Sequence, residues 1–302
     1  MQNVLTWAAI YLLTMFLGYS LKRIGIFKAE DRKILSDLIF YVTLPAMLVS
    51  SFSGVSVDFW YLVACALGIA LNVLMITAAM LASVHKTPEM KALYIINGAG
   101  LNLGNIAIPY LQNFFPSGLP YLCMLDVGDS FFSLGTTYAV ACMSMGQKPE
   151  SRLKAIIKGL VTSLPFDVYI FMTVLSILHI TLPQPVLLMA DFAGRGNGFL
   201  AMFMVGVSLE LKLDRRSYGE IAQILLLRYL CGAAVAAFTF FVLPAPLIMR
   251  QILSVAVFAA VPNACLIYTI RLGVHTEIAS ALSTISTILM IPIMALVMAF
   301  VI

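Results

Sequence analysis

Apolar residues in this chain come in long unbroken runs, and polar residues gather in short gaps between them. Ten such runs stand out, at approximately 4–21, 34–52, 59–84, 92–115, 120–145, 156–179, 186–209, 221–243, 247–271 and 277–302. A run of roughly 20 apolar residues crosses the hydrocarbon core of a bilayer as a helix. Such a helix satisfies its own backbone hydrogen bonds where no water is present. The pattern predicts an all-α polytopic membrane protein of ten transmembrane helices, numbered here as spans 1 to 10. The gaps are too short for a separate soluble domain.

Composition removes the soluble alternatives. Of 302 residues, 62% are hydrophobic and 11% are charged, against about 45–50% apolar and about 25% charged in soluble domains. Too little charge is present to cover a soluble surface of this size. Soluble enzymes, nucleic-acid binders, disordered chains and coiled coils are excluded, and the expected environment is a lipid bilayer with no nucleic acid partner. The five cysteines are scattered through apolar runs without CxxC spacing, and no HExxH or P-loop pattern occurs. No metal, cofactor, enzymatic activity or ATP drive is expected. The first run lacks a basic leading region and a small-residue cleavage site, so it reads as a retained helix.

The placement of charge tests the count of spans. Gap one carries Lys22, Arg23, Lys28, Arg32 and Lys33; gap three Lys86 and Lys91; gap five Lys148, Arg152, Lys154 and Lys158; gap seven Lys212, Arg215 and Arg216; gap nine Arg271. The even gaps carry only Arg250, while Arg195 and Arg228 lie inside apolar runs. Basic residues concentrate on the cytoplasmic side. The odd gaps are therefore expected in the cytoplasm, with both termini outside a cell inner membrane.

The two halves resemble each other. Each has a proline in its fourth span, Pro109 and Pro262. Five spans per half is an odd number, so the second half is inverted relative to the first. The expected organisation is a first repeat over 1–145, a cytoplasmic linker over 146–155 and a second repeat over 156–302. Inverted repeats with interrupted helices in matching positions point to a secondary transporter.

Polar residues inside the runs locate the candidate site. At about 1.5 Å per residue, Asn102 and Asn105 fall near mid-depth at i,i+3 spacing, among Gly98, Gly100 and Gly104. Pro109 is expected to break span 4, and Pro262 with Asn263 to break span 9 at a similar depth. Two broken helices meeting there would aim half-helix N-termini at a carboxylate; the plainer alternative is a Gly/Asn packing interface. Span 7 holds Asp191, Arg195 and Asn197 among glycines, which suggests a further unwound segment, and span 2 has the matching Thr43-Leu-Pro45. Arg195 either contacts an anion or pairs with Asp191 one turn away. Asp126 and Asp129 lie on one face of span 5. Two such carboxylates cannot both ionise cheaply in a low dielectric, which suits proton exchange or cation binding. Ser283, Thr284, Ser286 and Thr287 of span 10 could complete a cation site, or simply bond the preceding helical turn. Asp167 and Arg228 read as structural, able to snorkel or pair nearer the cytoplasmic ends of spans 6 and 8.

Four segments carry a family resemblance: Asn102-Leu-Gly-Asn105-Ile-Ala-Ile-Pro109, Leu125-Asp126-Val-Gly-Asp129, Val261-Pro262-Asn263-Ala and Ala281-Leu-Ser283-Thr284-Ile-Ser286-Thr287. The chain resembles the auxin efflux carrier family, which includes plant PIN carriers and bacterial malate- and malonate-type permeases. The resemblance implies a sodium/proton antiporter-like fold of two inverted five-helix repeats, with broken helices 4 and 9 crossing at an organic-anion site. Carried over, Asn105, Pro109, Pro262 and Asn263 fall on that crossing. Two departures stand out: Asp129 where the family motif usually ends in Asn, and Arg195 where span 7 usually has Asn nearby.

The expected activity is alternating-access transport of a small organic anion. Asn102, Asn105, Pro109, Arg195, Asn197, Pro262 and Asn263 would form the substrate site. Asp126, Asp129, Ser283 and Thr287 would handle a proton or sodium ion. A second copy of the chain is a candidate partner. The alternatives are a sodium-coupled symporter of a bulkier, bile-acid-like anion and an intramembrane anion sensor without transport.

Overall fold

A computed structural model describes residues 2–53, 58–147, 164–209 and 217–302. Most of the expected 146–155 linker, the start of span 6 and the basic residues Lys148, Arg152, Lys154, Lys158, Lys212, Arg215 and Arg216 lie outside the described residues.

Regular structure among the described residues is helical throughout, without strands. Helix α1 is Gln2–Arg23, α2 Arg32–Phe52, α3 Phe59–Ala82 and α4 Pro88–Gly98. Helix α5 (103–111) is a π-helical Leu103–Ala107 followed by one α turn, Ile108–Leu111. Helix α6 (119–144) loses helical dihedrals at Gly135. Then come α7 (Leu164–Ile177), α8 (Gln184–Arg195), α9 (Asn197–Ser208), α10 (Tyr218–Val242), α11 (Leu247–Ala256), α12 (Asn263–Leu272) and α13 (Thr276–Val301). Four of these, α2, α3, α10 and α13, are each long and apolar enough to cross a bilayer. Their outward faces carry Leu62, Phe241, Leu296 and Phe300 exposed, which suits contact with lipid.

Apolar runs four, seven and nine each resolve into two helices, α4/α5, α8/α9 and α11/α12. The interruption in run seven is slight. Gly196 alone separates α8 from α9, and its dihedrals stay in the helical region. The glycine-rich stretch therefore does not unwind as expected.

Packing sorts the helices into two bodies. Helices α1, α2, α7, α8 and α9 pack on one another, and α3 to α6 pack with α10 to α13. Helices α3 and α6 approach with their backbones almost touching. A Cβ on Gly68 would collide with the Leu125 carbonyl, and one on Gly128 with the Cys65 carbonyl. That close approach lets two short polar side chains, Asn72 and Asp129, meet between the helices.

Candidate functional site

Helix α4 starts with Thr87 accepting from the Met90 N–H and Pro88 at its first position, a strong start signal. It stops at Gly98, and residues 99–102 are not helical. Gly100 adopts φ +77°, and a Cβ there would stand 2.9 Å from both Pro262 Cγ and Ser133 Oγ. Only glycine combines that backbone with that approach. In the other half, residues 257–262 leave the helix between α11 and α12, and Pro262 stands extended just ahead of Asn263. The two interruptions meet: the Asn102 N–H donates to Ala260 O at 2.9 Å.

The structure moves the first break relative to the sequence expectation. It falls at 99–102, upstream of Pro109, which is buried within α5 with its carbonyl accepting from Tyr11 Oη at 3.3 Å. Glycine freedom interrupts the helix before proline would. Asn102 consequently lies in the break and Asn105 in the first turn of α5, so the two do not share one continuous helix face.

Side chains supply the hydrogen bonds the broken helices lack. Asn72 Oδ1 accepts from the Gly100 N–H at 2.8 Å, and Asp129 Oδ1 accepts from the Leu101 N–H at 3.0 Å. Asp129 also accepts from Asn72 Nδ2 at 2.8 Å and Ser133 Oγ at 2.6 Å. Across the site, the Val261 N–H donates to Ser286 Oγ at 3.0 Å. Arg228 reaches in from α10 and donates to the carbonyls of Asn97, Ala99, Gly100, Ala259 and Ala260 at 2.7–3.4 Å. With 2% of its surface exposed, Arg228 does not snorkel. The expectation of a cytoplasmic-end residue is corrected: open carbonyls of two broken helices draw the guanidinium inward. Asp167 is exposed in the first turn of α7.

Beside the crossing lies a cavity of about 360 Å³. Its wall includes Asn263 at the start of α12, Ile106 of α5, the α13 hydroxyls Ser280, Ser283, Thr284 and Thr287, and the α2 cations Arg32 and Lys33. Among the described residues no carboxylate lines it. Asn263, Arg32 and Lys33 are exposed. Asn102 Nδ2 and Asn105 Oδ1 are shielded from solvent without a protein partner, and unpaired polar atoms of that kind call for an explanation. Thr287 Oγ1 donates to Ser283 O at 2.7 Å, the local turn bond that competes with cation binding.

Of the expected site residues Asn263, Ser283 and Thr287 line this cavity; Asn102, Asn105, Pro109, Pro262 and Asp129 belong to the broken helices and the helix packed on them, outside its wall, and Arg195, Asn197 and Asp126 lie elsewhere. Arg195 is 78% exposed and pairs with Asp191 at 2.6 Å on the outside of the molecule. The structure does not bring it to the crossing, because Asp191 one turn earlier already neutralises it. Asn197 is fully buried at the start of α9, accepting from Thr43 Oγ1 of α2 at 2.9 Å. Asp126 is half-buried on α6, and Tyr169 Oη of α7 donates to it at 2.9 Å, joining the two bodies. Tyr11 joins them elsewhere, accepting from Asn113 Nδ2 at 2.7 Å while it donates to Pro109 O.

Sequence reasoning missed Asn72, Ser133 and Tyr169, and read Arg32 and Lys33 only as topology markers. Asn72 had a signal, as the one amide in the 24-residue apolar helix α3.

The family model described as membrane transport protein matches residues 4–149. A search of curated proteins found no match. The match spans just under half of the chain and indicates a role in membrane transport.

Proposed function

We propose that this membrane transporter, whose residues 4–149 are those of the auxin efflux carrier family, carries a small organic anion by alternating access. One observation carries the reading: among the described residues, the cavity at the crossing offers two cations, an amide and a row of hydroxyls, and no carboxylate. An anion entering it meets Arg32 and Lys33 first. It then reaches Asn263 at the start of α12, an end without a side-chain cap, where the helix dipole favours negative charge. Asn102 and Asn105, with their unpaired amide atoms, stand ready to complete the shell.

By the positive-inside pattern the Arg32–Lys33 end is cytoplasmic, so this conformation faces inward. The opposite end of α5 is tied to α1 through Tyr11, Pro109 and Asn113, as a closed outer gate requires. The two halves act as inverted repeats. In support, the break residues Leu101 and Val261 both donate their N–H to a side chain one helix further on, Asp129 and Ser286.

Asp126 is the group that exchanges a proton. It is half-buried between the two bodies and has Tyr169 as its hydrogen-bond partner across them. A second reading, a sodium-driven carrier of a bulkier amphipathic anion, is favoured by the apolar side of the same cavity, where Met204, Leu266 and Ile267 stand. Uptake into proteoliposomes by a panel of carboxylates, under imposed pH or sodium gradients, separates the two. No uptake of any carboxylate, or full uptake by Asn105→Ala and Asn263→Ala, would sink the anion site.

A further inference from the structure

Arg228 is a cation buried at the crossing, with 2% of its surface exposed. No Asp or Glu pairs with it directly among the described residues. A buried charge without a counter-ion is costly. Here the compensation comes from backbone. Arg228 gathers the carbonyls of Asn97 and Ala99 at the end of α4, that of Gly100 in the first break, and those of Ala259 and Ala260 in the second.

Carbonyl ends of helices carry partial negative charge and N–H ends partial positive charge. Both kinds of end are present at the crossing. Arg228 cancels the negative set. The positive set, at the starts of α5 and α12, stays open: neither Asn102 nor Pro262 supplies a side-chain cap there. Asp129 stands on the far side of the Gly100–Leu101 peptide, accepting its N–H.

We infer that Arg228 is the fixed positive charge that makes this crossing selective for anions, with Asp129 as its counter-charge. The inference rests on the anion-transport reading above. Arg228 is a positioning residue. It acts through the backbone it holds and does not touch the substrate. Its effect follows the sign of the charge, which separates it from a purely structural role: removing the positive charge weakens anion binding, and removing the negative one strengthens it.

The test is uptake into proteoliposomes of a carboxylate that the wild type carries, with KM and kcat measured separately for Arg228→Lys, Arg228→Gln and Asp129→Asn. Arg228→Gln is expected to raise KM roughly tenfold, the scale of one charge acting across about a nanometre of protein. Arg228→Lys, which keeps the charge and some carbonyl contacts, should recover most of that loss. Asp129→Asn keeps its shape and an oxygen for the Leu101 N–H, and should lower KM severalfold. Equal rises in KM for Arg228→Lys and Arg228→Gln would overturn the inference. If Arg228→Gln does not yield folded protein, Asp129→Asn carries the test alone, and an unchanged or raised KM in it overturns the inference. A wild type that transports no carboxylate sinks the transport reading together with this inference. A transporting wild type whose variants break the sign rule sinks the inference alone.

Discussion

Arg228 and Asp129 grip opposite ends of one peptide group: Arg228 Nη2 donates to Gly100 O at 2.7 Å, and Asp129 Oδ1 accepts from the Leu101 N–H at 3.0 Å. An interrupted helix inside a membrane leaves backbone groups with no water to turn to. This chain answers with side chains drawn from α3, α6, α10 and α13, so the crossing is held open by hydrogen bonds and not by flexibility. Asn72 completes the arrangement by accepting the preceding N–H, that of Gly100.

Asn72 is therefore expected to matter for stability far beyond its size. Asn72→Leu fills a similar volume but strands the Gly100 N–H and removes one of the donors to Asp129. Leaving the Gly100 N–H unpaired costs about 1–3 kcal/mol, while Asp129 keeps Leu101 and Ser133 as donors, so a loss of about that size is expected. Thermal unfolding in detergent should show a clear drop in Tm. Thr77→Val on the exposed face of the same helix, where the hydroxyl only bonds its own turn, should show none. Equal Tm values for the two variants would mean that the Asn72 bonds contribute nothing.

Gly100→Ala should fail for two separable reasons. Its φ of +77° disfavours any Cβ, at about 1–2 kcal/mol, and the added carbon would stand 2.9 Å from Pro262 and Ser133. Moving Pro262 shifts Asn263 beside it, so uptake should fall even in protein that still folds. Gly219→Ala, in the open first turn of α10, is expected to keep full uptake. Normal uptake by Gly100→Ala would show that the two breaks need not meet this closely.

That runs four and nine are interrupted is legible because Gly, Asn and Pro inside apolar runs have few other uses, although the same signal in run seven marks no real break. Which of these residues opens the helix is not legible. Pro109 looked decisive, yet Gly100 interrupts the chain first, since a positive φ ends a helix without waiting for a missing N–H. The ties across the crossing were illegible for a different reason. Asn72, Ser286 and Arg228 act on backbone groups 25–32 residues or more away in the chain, and no spacing rule connects them. Arg195 misled because a charge deep in an apolar run is costly only when unpaired, and Asp191 one turn earlier removes that cost.

Charge on the cavity wall gives a contrast between Arg32 and the distant Arg195. Arg32→Gln with Lys33→Gln removes both cations from the cavity wall. Anion uptake should then show a raised KM and lose most of its sensitivity to ionic strength, since exposed charges act through a salt-screened field. Arg195→Gln breaks only an exposed pair, which solvent and salt weaken, and should leave KM unchanged. A larger effect from Arg195→Gln than from the double variant would place the anion path elsewhere.

The Asp126–Tyr169 contact predicts how coupling fails. Asp126 sits on α6 and Tyr169 on α7, in different bodies, 2.9 Å apart. The other titratable neighbours of Asp126 are Cys123 and Asp129 on its own helix. A proton held or released by Asp126 changes what Tyr169 bonds to, and so changes how firmly the two bodies are joined. Asp126→Asn fixes the neutral form. Uptake by that variant should persist downhill but cease to respond to an imposed pH gradient. Tyr169→Phe leaves the carboxyl in place and removes only the link, so uptake should keep its response to pH while its maximal rate changes. Measured in proteoliposomes with the interior pH clamped, a pH response that survives in Asp126→Asn would rule this residue out as the proton carrier. A pH response lost in Tyr169→Phe alone would move the exchangeable proton from the carboxyl to the phenol.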